Sequence, residues 1–281
     1  MMHTIENDRF RVSALETGAE LTSFWDKREQ HEYLWQKSEV WMGQSPLLFP
    51  VVGKLRNDAY CLHGRQYHLP KHGFARRAEF ALERREPQEM TFLLTDSPQT
   101  RESYPFAFEL RVDYAMREDG FAMRFRVKNP GTETMYFSLG AHPGFRCAMG
   151  DRVVMDLEET AGAYRLGKDG LRGMHPMPVF HHSREIVITP EVFAEDALIF
   201  DGLRSSGATL VRNNGKSVHV DFGGAPCLGL WAKPGAEYVC IEPWYGIDDR
   251  RDANVDFSRK ERICALAAGT EFIFPVTVAA L

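Results

Sequence analysis

The chain has 281 residues, of which 44% are hydrophobic and 26% charged, a composition typical of an ordinary globular protein. Its 34 basic and 39 acidic residues are interspersed and give a net charge of −5, which favours a small neutral or weakly charged ligand over nucleic acid or a membrane surface. Residues 1–8 lack the basic start and apolar core of a secretory signal, and no run approaches ~18 apolar residues, so we expect a cytoplasmic protein.

The pattern along the chain is one of short strands separated by turns. β-Branched or aromatic residues, or alternating polarity, predict strands over residues 9–15, 20–25, 31–35, 106–114, 121–127, 208–211, 217–222, 263–266 and 272–278. Turn residues within 106–127, 208–222 and 263–278 predict a hairpin in each of these three segments. Helical signals are limited to two short turns, which begin at Pro98 and Pro190.

The fold class follows from this pattern. No segment carries an amphipathic helical period over three turns, and no stretch rich in Gly, Ser or Pro divides the chain. We therefore predict one all-β domain over residues 1–281, in which large antiparallel sheets pack face to face as a β-sandwich.

One histidine, His142, is the first candidate for chemistry. It follows a strand-like run within residues 138–145, and small residues and Pro143 flank it, so its imidazole has room to face a ligand. The alternative is that His142 closes a turn and bonds to a local carbonyl, which is the commoner role of an isolated histidine.

Two carboxylates are further candidates. Glu242 lies in the apolar and aromatic run 239–246, where burial would raise its pKa toward the range of a general base. A structural role for Glu242 would require a buried partner such as arginine. Asp196 precedes the apolar run 197–200, and its local sequence predicts a residue that caps a turn.

Cations and one more histidine occur early in the chain. Lys54 and Arg56 follow an apolar strand and a glycine, so either side chain would reach over a cleft or remain solvated in its loop. His72 lies between a proline and a glycine, and Arg76 follows it closely enough to reach the same pocket.

No metal or nucleotide motif is present. The histidines match no H-E-x-x-H pattern, and the sequence contains no G-x-S-x-G, P-loop or G-x-G-x-x-G after a strand. We expect no catalytic metal and no cofactor. The absence of a C-x-x-C pair predicts reduced, mostly buried thiols for the five cysteines, Cys61, Cys147, Cys227, Cys240 and Cys264.

Five ordered motifs together resemble one known family. They occupy residues 49–54, 71–76, 138–145, 195–200 and 241–246, and they resemble the aldose 1-epimerase (mutarotase) family, specifically its LacX-like branch. The resemblance covers nearly the whole chain. It implies a galactose-mutarotase-type β-sandwich, with a sugar in an open cleft on one sheet face, no cofactor, and a monomer or homodimer.

The same resemblance implies roles for individual residues. His142 matches the family's proton donor to the ring oxygen, and Glu242 matches its general base. His72 matches the second histidine, which binds the sugar near that oxygen. The hydroxyl-binding aspartate matches Asp196, with Asp201 as the alternative. Arg76 and Trp244 are further candidate sugar contacts. Either Lys54 or Arg56 is another, because these two residues stand where the family has an arginine.

Interconversion of sugar anomers requires this pair of residue types. A base takes the proton of the anomeric hydroxyl while an acid protonates the ring oxygen, and the ring opens and recloses. Near neutral pH this works if burial raises the pKa of Glu242 and a nearby carboxylate keeps His142 protonated. We then expect the rate to fall below roughly pH 5.5, as Glu242 becomes protonated.

Three functions are compatible with these residues. The leading interpretation is a mutarotase for free hexoses such as glucose or galactose. The second is a hexose-6-phosphate mutarotase, in which Arg56, Arg76 or Arg146 would clamp the phosphate. The third is a sugar sensor or binding module without catalytic activity, since a fold can outlive an activity. Retention of both His142 and Glu242 argues against the third.

Overall fold

The computed structural model describes residues 1–281 and consists mainly of β-strands. In chain order the strands are β1 (Met2–Glu6), β2 (Phe10–Leu15), β3 (Leu21–Asp26), β4 (His31–Glu32), β5 (Ala59–Leu62), β6 (Arg65–His68), β7 (Ala81–Arg85), β8 (Glu89–Thr95), β9 (Glu109–Arg117), β10 (Gly120–Lys128), β11 (Met135–Phe137), β12 (Leu139–Gly140), β13 (Gly144–Arg146), β14 (Arg152–Glu159), β15 (Gly162–Ala163), β16 (Met177–Pro178), β17 (Ser183–Val187), β18 (Leu198–Asp201), β19 (Gly207–Val211), β20 (Val218–Asp221), β21 (Cys227–Trp231), β22 (Tyr238–Tyr245), β23 (Cys264–Leu266) and β24 (Glu271–Ala280). Helical structure is confined to α1 (Pro98–Ser103) and the 3₁₀ turns Arg56–Asp58, Ala75–Arg77, Pro190–Phe193 and Phe257–Arg259. None of these helices is long and apolar enough to cross a membrane.

Three sheets dominate the architecture. The largest has nine strands in the order β17-β14-β19-β20-β24-β10-β9-β8-β7, the second has the order β1-β2-β3-β4, and the third has the order β12-β22-β21-β18 with β13 also paired to β22. Neighbouring strands within these sheets run antiparallel. The prediction of an all-β fold with large antiparallel sheets is confirmed.

The sheets pack around a shared core of 66 buried residues. Phe24 on β3 and Phe121 on β10 are both fully buried, and their rings meet edge to face at 4.9 Å, which joins the second sheet to the largest one. Each buried phenylalanine contributes about 1.5–3 kcal/mol relative to an exposed one, so contacts of this kind dominate the stability of the sandwich.

The alternation of side chains along β22 determines which face of the third sheet carries Glu242. Val239 and Ile241 are fully buried members of the main core. Side chains of successive strand residues point to opposite faces, so Glu242 and Trp244 project from the other face of the third sheet. A second cluster of seven buried residues, which includes Trp244 and Ile199 of β18, covers part of that face. A carboxylate in an apolar run is therefore directed away from the main core.

The predicted hairpins within 106–127 and 208–222 are confirmed, because β9 pairs with β10 and β19 pairs with β20. The predicted hairpin within 263–278 is wrong. Here β23 pairs with β11 in a separate two-stranded sheet, whereas β24 lies between β10 and β20. The turn between them carries the chain from one sheet to another, and turn residues alone do not specify which sheet receives the next strand.

Other boundaries differ by a few residues. The segment predicted over 31–35 forms a strand only at His31–Glu32, because the backbone then leaves the sheet and buries Tyr33 and Leu34 in the core. The short helical segments begin at Pro98 and Pro190 as predicted. Ser97 caps the first of them, since its hydroxyl accepts a hydrogen bond from the Thr100 N–H at 3.2 Å.

Candidate active site

A cavity of about 220 Å³ opens on the face of the third sheet that carries Glu242. It is smaller than the roughly 300–1,000 Å³ of sites for drug-sized ligands, so it suits a small polar molecule. Its lining combines charged groups, histidines and tryptophans: Trp41, Pro46, Lys71, His72, Arg76, His142, Leu166, Asp196, Ala197, Ile199, Trp231, Glu242, Trp244 and Asp248.

His142 lies where the edge of the third sheet is interrupted. Both β12 and β13 pair with β22, and the break between them contains His142. The break is held to β22 by the Ala141 N–H, which donates to Pro243 O, and by the Ile241 N–H, which donates to Pro143 O, each at 3.2 Å. The imidazole therefore stands beside the neighbouring strand, and its Nε2 lies 3.3 Å from Oε2 of Glu242.

The small residues around His142 make room for aromatic rings. A Cβ at Gly140 would lie 2.6 Å from the Trp244 ring, and a Cβ at Gly144 would lie 2.5 Å from the Trp41 ring. Trp41 in turn packs against the imidazole of His142, with 5.5 Å between ring centroids and 31° between planes. Glycine is thus required at positions 140 and 144 to leave room for the Trp244 and Trp41 rings, and Trp41 covers the histidine.

Burial governs the charge state of the pair. Glu242 is 1% exposed, and burial raises the pKa of its carboxyl well above the ordinary value, against the opposing effect of the nearby Lys71 ammonium. Burial also lowers the pKa of His142 to about 3. The expectation for Glu242 is confirmed, whereas the expectation that a nearby carboxylate keeps His142 protonated is wrong. For His142 the loss of hydration is the dominant cause, and the Lys71 and Arg76 cations act in the same direction, so burial disfavours the charged form of both His142 and Glu242.

His72 is held in one tautomer. The backbone N–H of Gly53 donates to its Nδ1 at 3.1 Å, and the backbone N–H of His72 donates to Gly53 O at 2.8 Å. An amide N–H only donates, so Nδ1 carries no proton and the ring proton must be on Nε2. Burial lowers the pKa of His72 well below its ordinary value, which agrees with this neutral form. His72 therefore presents a fixed N–H donor, and its ring lies 5.9 Å from that of His142.

Two of the cavity residues have left-handed backbone conformations. The φ angle is +66° at both His72 and Asp196, and neither is glycine. Such conformations cost on the order of 1–3 kcal/mol each and are enriched at functional sites. Gly73 follows His72 with a φ of +68°, and a Cβ there would lie 2.2 Å from Phe49 O, so this turn packs against the strand-like segment before Gly53.

The structure separates the predicted binding residues into two groups. Asp196, Arg76 and Trp244 line the cavity, as do His72 and His142. Asp201, the alternative to Asp196, lies elsewhere and pairs with Arg262 at 2.6 Å.

Lys54 and Arg56 do not line the cavity. The Lys54 ammonium donates to Asp169 O at 3.1 Å, and the Arg56 guanidinium donates to Arg251 O at 3.2 Å. Their backbone N–H groups donate to Asp248 at 2.7 Å and Asp249 at 2.9 Å, which fixes the position of the loop. Contact of Lys54 or Arg56 with a sugar therefore stays a prediction that the cavity lining does not support.

Lys71, Asp248 and Trp41 are among the cavity residues that were not predicted from the sequence. Lys71 lines the cavity, whereas Lys54 does not. Its position directly before His72 in a motif was the sequence signal that could have identified it. Asp248 is 2% exposed, and burial raises its pKa. Trp41 comes from an irregular loop with no periodic pattern, so nothing in its local sequence indicates a cavity position.

One group of side chains has the composition of a metal site. Nitrogen, sulfur and oxygen donors of His142, Cys240 and Glu242 all lie within 4.8 Å of one another. The group contains both members of the acid–base pair, and the remaining ligand is a fully buried thiol.

Similarity to known proteins shows the family of this chain. The family model described as aldose 1-epimerase matches residues 1–161. The chromosomal LacX protein of Lactococcus lactis subsp. lactis is 33% identical over 261 residues, which are 86% of this chain and 87% of that protein. The chain belongs to the aldose 1-epimerase family. It is accordingly an isomerase of the mutarotase type.

Solved structures support the same family membership. A galactose mutarotase related enzyme from Lactobacillus acidophilus is 35% identical with a TM-score of 0.94, and the match covers 100% of this chain and 97% of that one. A galactose mutarotase-like protein from Lactobacillus casei is 26% identical with a TM-score of 0.93 and full coverage of both chains. This aldose 1-epimerase family member therefore has the galactose mutarotase-like β-sandwich along its whole length.

Proposed function

We propose that this protein interconverts the α and β anomers of free hexoses such as glucose and galactose, with Glu242 as general base and His142 as general acid. The observation that carries the proposal is the 3.3 Å approach of the buried Glu242 carboxyl and the partly buried His142 imidazole inside a small cavity with polar and aromatic walls. An acid and a base that share one proton are what reversible ring opening requires.

The proposed reaction returns every proton at the end of each cycle. Glu242 accepts the proton of the anomeric hydroxyl, the bond between C1 and the ring oxygen breaks, and His142 gives its proton to that oxygen. The open-chain aldehyde rotates about its C1–C2 bond, and the reverse transfers close the ring on the other face. In the reactive form of the pair, Glu242 is therefore a carboxylate and His142 carries the proton.

The reactive form contains the same single proton as the resting pair. Burial favours the neutral carboxyl and the neutral imidazole over the charged forms, and the reactive form arises when the proton passes from Oε2 of Glu242 to Nε2 of His142, which lie 3.3 Å apart. Because the pKa of His142 is about 3, the pair takes up a second proton only in acid. The rate is therefore expected to persist to a pH below the limit of roughly 5.5 that the sequence predicted.

The remaining cavity residues are assigned to binding. The Nε2–H of His72 is fixed as a donor toward the ring oxygen, while the Asp196 carboxylate accepts hydrogen bonds from sugar hydroxyls. Trp231 and Trp244 offer apolar surfaces to the C–H face of the ring. Together these groups would orient the anomeric carbon toward Glu242.

A second candidate is mutarotation of hexose 6-phosphates. It is favoured by one observation, which is that Lys71 and Arg76 both line the cavity and that Nε of Arg76 is buried without a hydrogen-bond partner. Phosphate oxygens are strong acceptors for such cations. Arg56 and Arg146 do not line the cavity, so a clamp would use Arg76 with Lys71.

Anomer exchange on α-glucose, α-galactose and α-glucose 6-phosphate distinguishes the two candidates. The main proposal expects acceleration of both free sugars, and kcat/KM for the phosphate ester no higher than for glucose. A kcat/KM for the ester at least about tenfold higher, which Arg76→Met removes while the glucose rate remains, would establish the second candidate. Binding without acceleration of any of the three would mean a sugar-binding protein.

A further inference from the structure

Cys240 lies beneath the acid–base pair and has no role in the proposed reaction. It precedes Glu242 by two residues on β22, so both side chains project from the same face of the strand. Across the sheet it pairs with Gly144, two residues after His142. This register places the thiol next to both groups, and the three ligand atoms lie within 4.8 Å of one another.

The ligand atoms of this group lack other partners. Oε2 of Glu242 is buried and has no hydrogen-bond partner, its nearest approach being the 3.3 Å to Nε2 of His142, although buried polar atoms are nearly always bonded. Cys240 is fully buried, and its thiol takes part in none of the side-chain hydrogen bonds of the structure. By contrast, the buried thiol of Cys227 donates to Asp201 at 3.7 Å. The ligand atoms of Glu242 and Cys240 thus have no competing hydrogen-bond partner.

The donor set specifies the class of ligand. A thiolate, an imidazole and a carboxylate are the groups that bind Zn²⁺, and three protein ligands with one open position are a common arrangement for that ion. Tetrahedral bonds of about 2.0–2.3 Å place ligand atoms roughly 3.3–3.7 Å apart, so the group must contract by about 1 Å around zinc. Cd²⁺ is larger and also prefers thiolate, so it would fit with less movement.

We propose that Cys240, His142 and Glu242 form a binding site for a thiophilic divalent cation such as Zn²⁺ or Cd²⁺, and that the bound ion inhibits the enzyme. His142 and Glu242 line the cavity, so the ion enters by the same opening as the sugar and its fourth position faces the cavity. Once bound, it occupies the lone pairs that would move the proton. Sugar and cation therefore exclude each other.

Binding of the ion changes the proton inventory of the site. The Cys240 thiol loses its proton to solvent, and the single proton of the His142 and Glu242 pair is also displaced, so two protons leave for each ion bound. No electron is transferred. Affinity should therefore increase with pH, because thiolate and carboxylate must both be unprotonated in the complex.

The binding test uses the reduced, metal-free full chain and Cd²⁺ as the probe. The ultraviolet charge-transfer absorption of a cadmium–thiolate bond should saturate at one equivalent. Cys240→Ser should abolish this absorption, and Cys240→Ala serves if the serine variant does not fold. The matched control is Cys227→Ser, since Cys227 is also a buried thiol beside a carboxylate but belongs to no such three-ligand group; it should retain the absorption.

The inhibition test rests on the proposed function, and its result is interpreted separately from that of the binding test. Zn²⁺ should inhibit anomer exchange competitively with glucose, and Cys240→Ser should keep the uninhibited rate while it raises the half-inhibitory zinc concentration at least about tenfold. The proposal is overturned if the wild type shows no cadmium–thiolate absorption, or if that absorption survives in Cys240→Ser. An enzyme that accelerates no anomer exchange but binds Cd²⁺ through Cys240 would refute the proposed function and leave the cation site in place.

Discussion

Glu242→Gln is the sharpest test of the assigned base. Glutamine has nearly the shape of glutamate, so the substitution leaves no cavity in the strand that carries it. The wild-type carboxyl is 1% exposed, and its Oε2 has no hydrogen-bond partner. Because no buried charge pair is broken, we expect a melting temperature equal to or above that of the wild type.

The expected kinetic effect follows from the loss of the proton acceptor. The amide cannot accept the anomeric proton, and it cannot exchange a proton with His142 across the 3.3 Å that separates the two groups. General-base catalysis contributes about 10²–10⁴-fold, so kcat should fall by at least about 10²-fold, or about 2.7 kcal/mol of barrier.

Polarimetry of freshly dissolved α-glucose and α-galactose provides the measurement, after subtraction of the spontaneous rate. Asp201→Asn is the matched control, since Asp201 is a carboxylate on the same sheet that pairs with Arg262 outside the cavity. It should retain the wild-type rate. A folded Glu242→Gln protein with wild-type kcat would show that another residue is the base.

Three further predictions concern the groups around Glu242. His142→Asn should lower kcat at least about 10²-fold, whereas His72→Asn should mainly raise KM; equal kcat losses with unchanged KM in both variants would mean that the two imidazoles act as one unit. The acidic limb of kcat should have its midpoint near the pKa of about 3 of His142, because a second proton on the pair removes the acceptor, and rate profiles that already fall by half near pH 5.5 would contradict a shared proton. Trp41→Ala should raise the His142 pKa, measured by NMR titration of the imidazole, since it admits water to a ring that the indole covers at 5.5 Å; Trp41→Phe should preserve most of the shift, and an unchanged pKa in the alanine variant would refute this role.

Several features of the site were predictable from the sequence. A carboxylate inside the apolar run 239–246 indicated a buried group with a raised pKa, and this is what burial in β22 produces. The turn residues on both sides of His142 and the glycine after His72 indicated local backbone geometry, which depends only on neighbouring residues. Short-range signals of this kind also predicted the hairpin of β9 and β10.

Other features depended on contacts between distant segments. Lys54 and Lys71 both lie in family-like motifs, but only the fold places the first outside the cavity, where its ammonium donates to Asp169 O, and the second inside the cavity. Trp41 reaches His142 from about a hundred residues away in the chain, and no local pattern records that contact.

The charge state of His142 is the clearest case of a property that the tertiary structure decided. The sequence allowed a histidine near a carboxylate, which by itself would favour the imidazolium. In the fold, the tryptophans and sheet that surround the pair remove water from both groups, and burial lowers the pKa of the imidazole to about 3. Residue type and local turns are determined by sequence, whereas hydration depends on every segment that packs around the site.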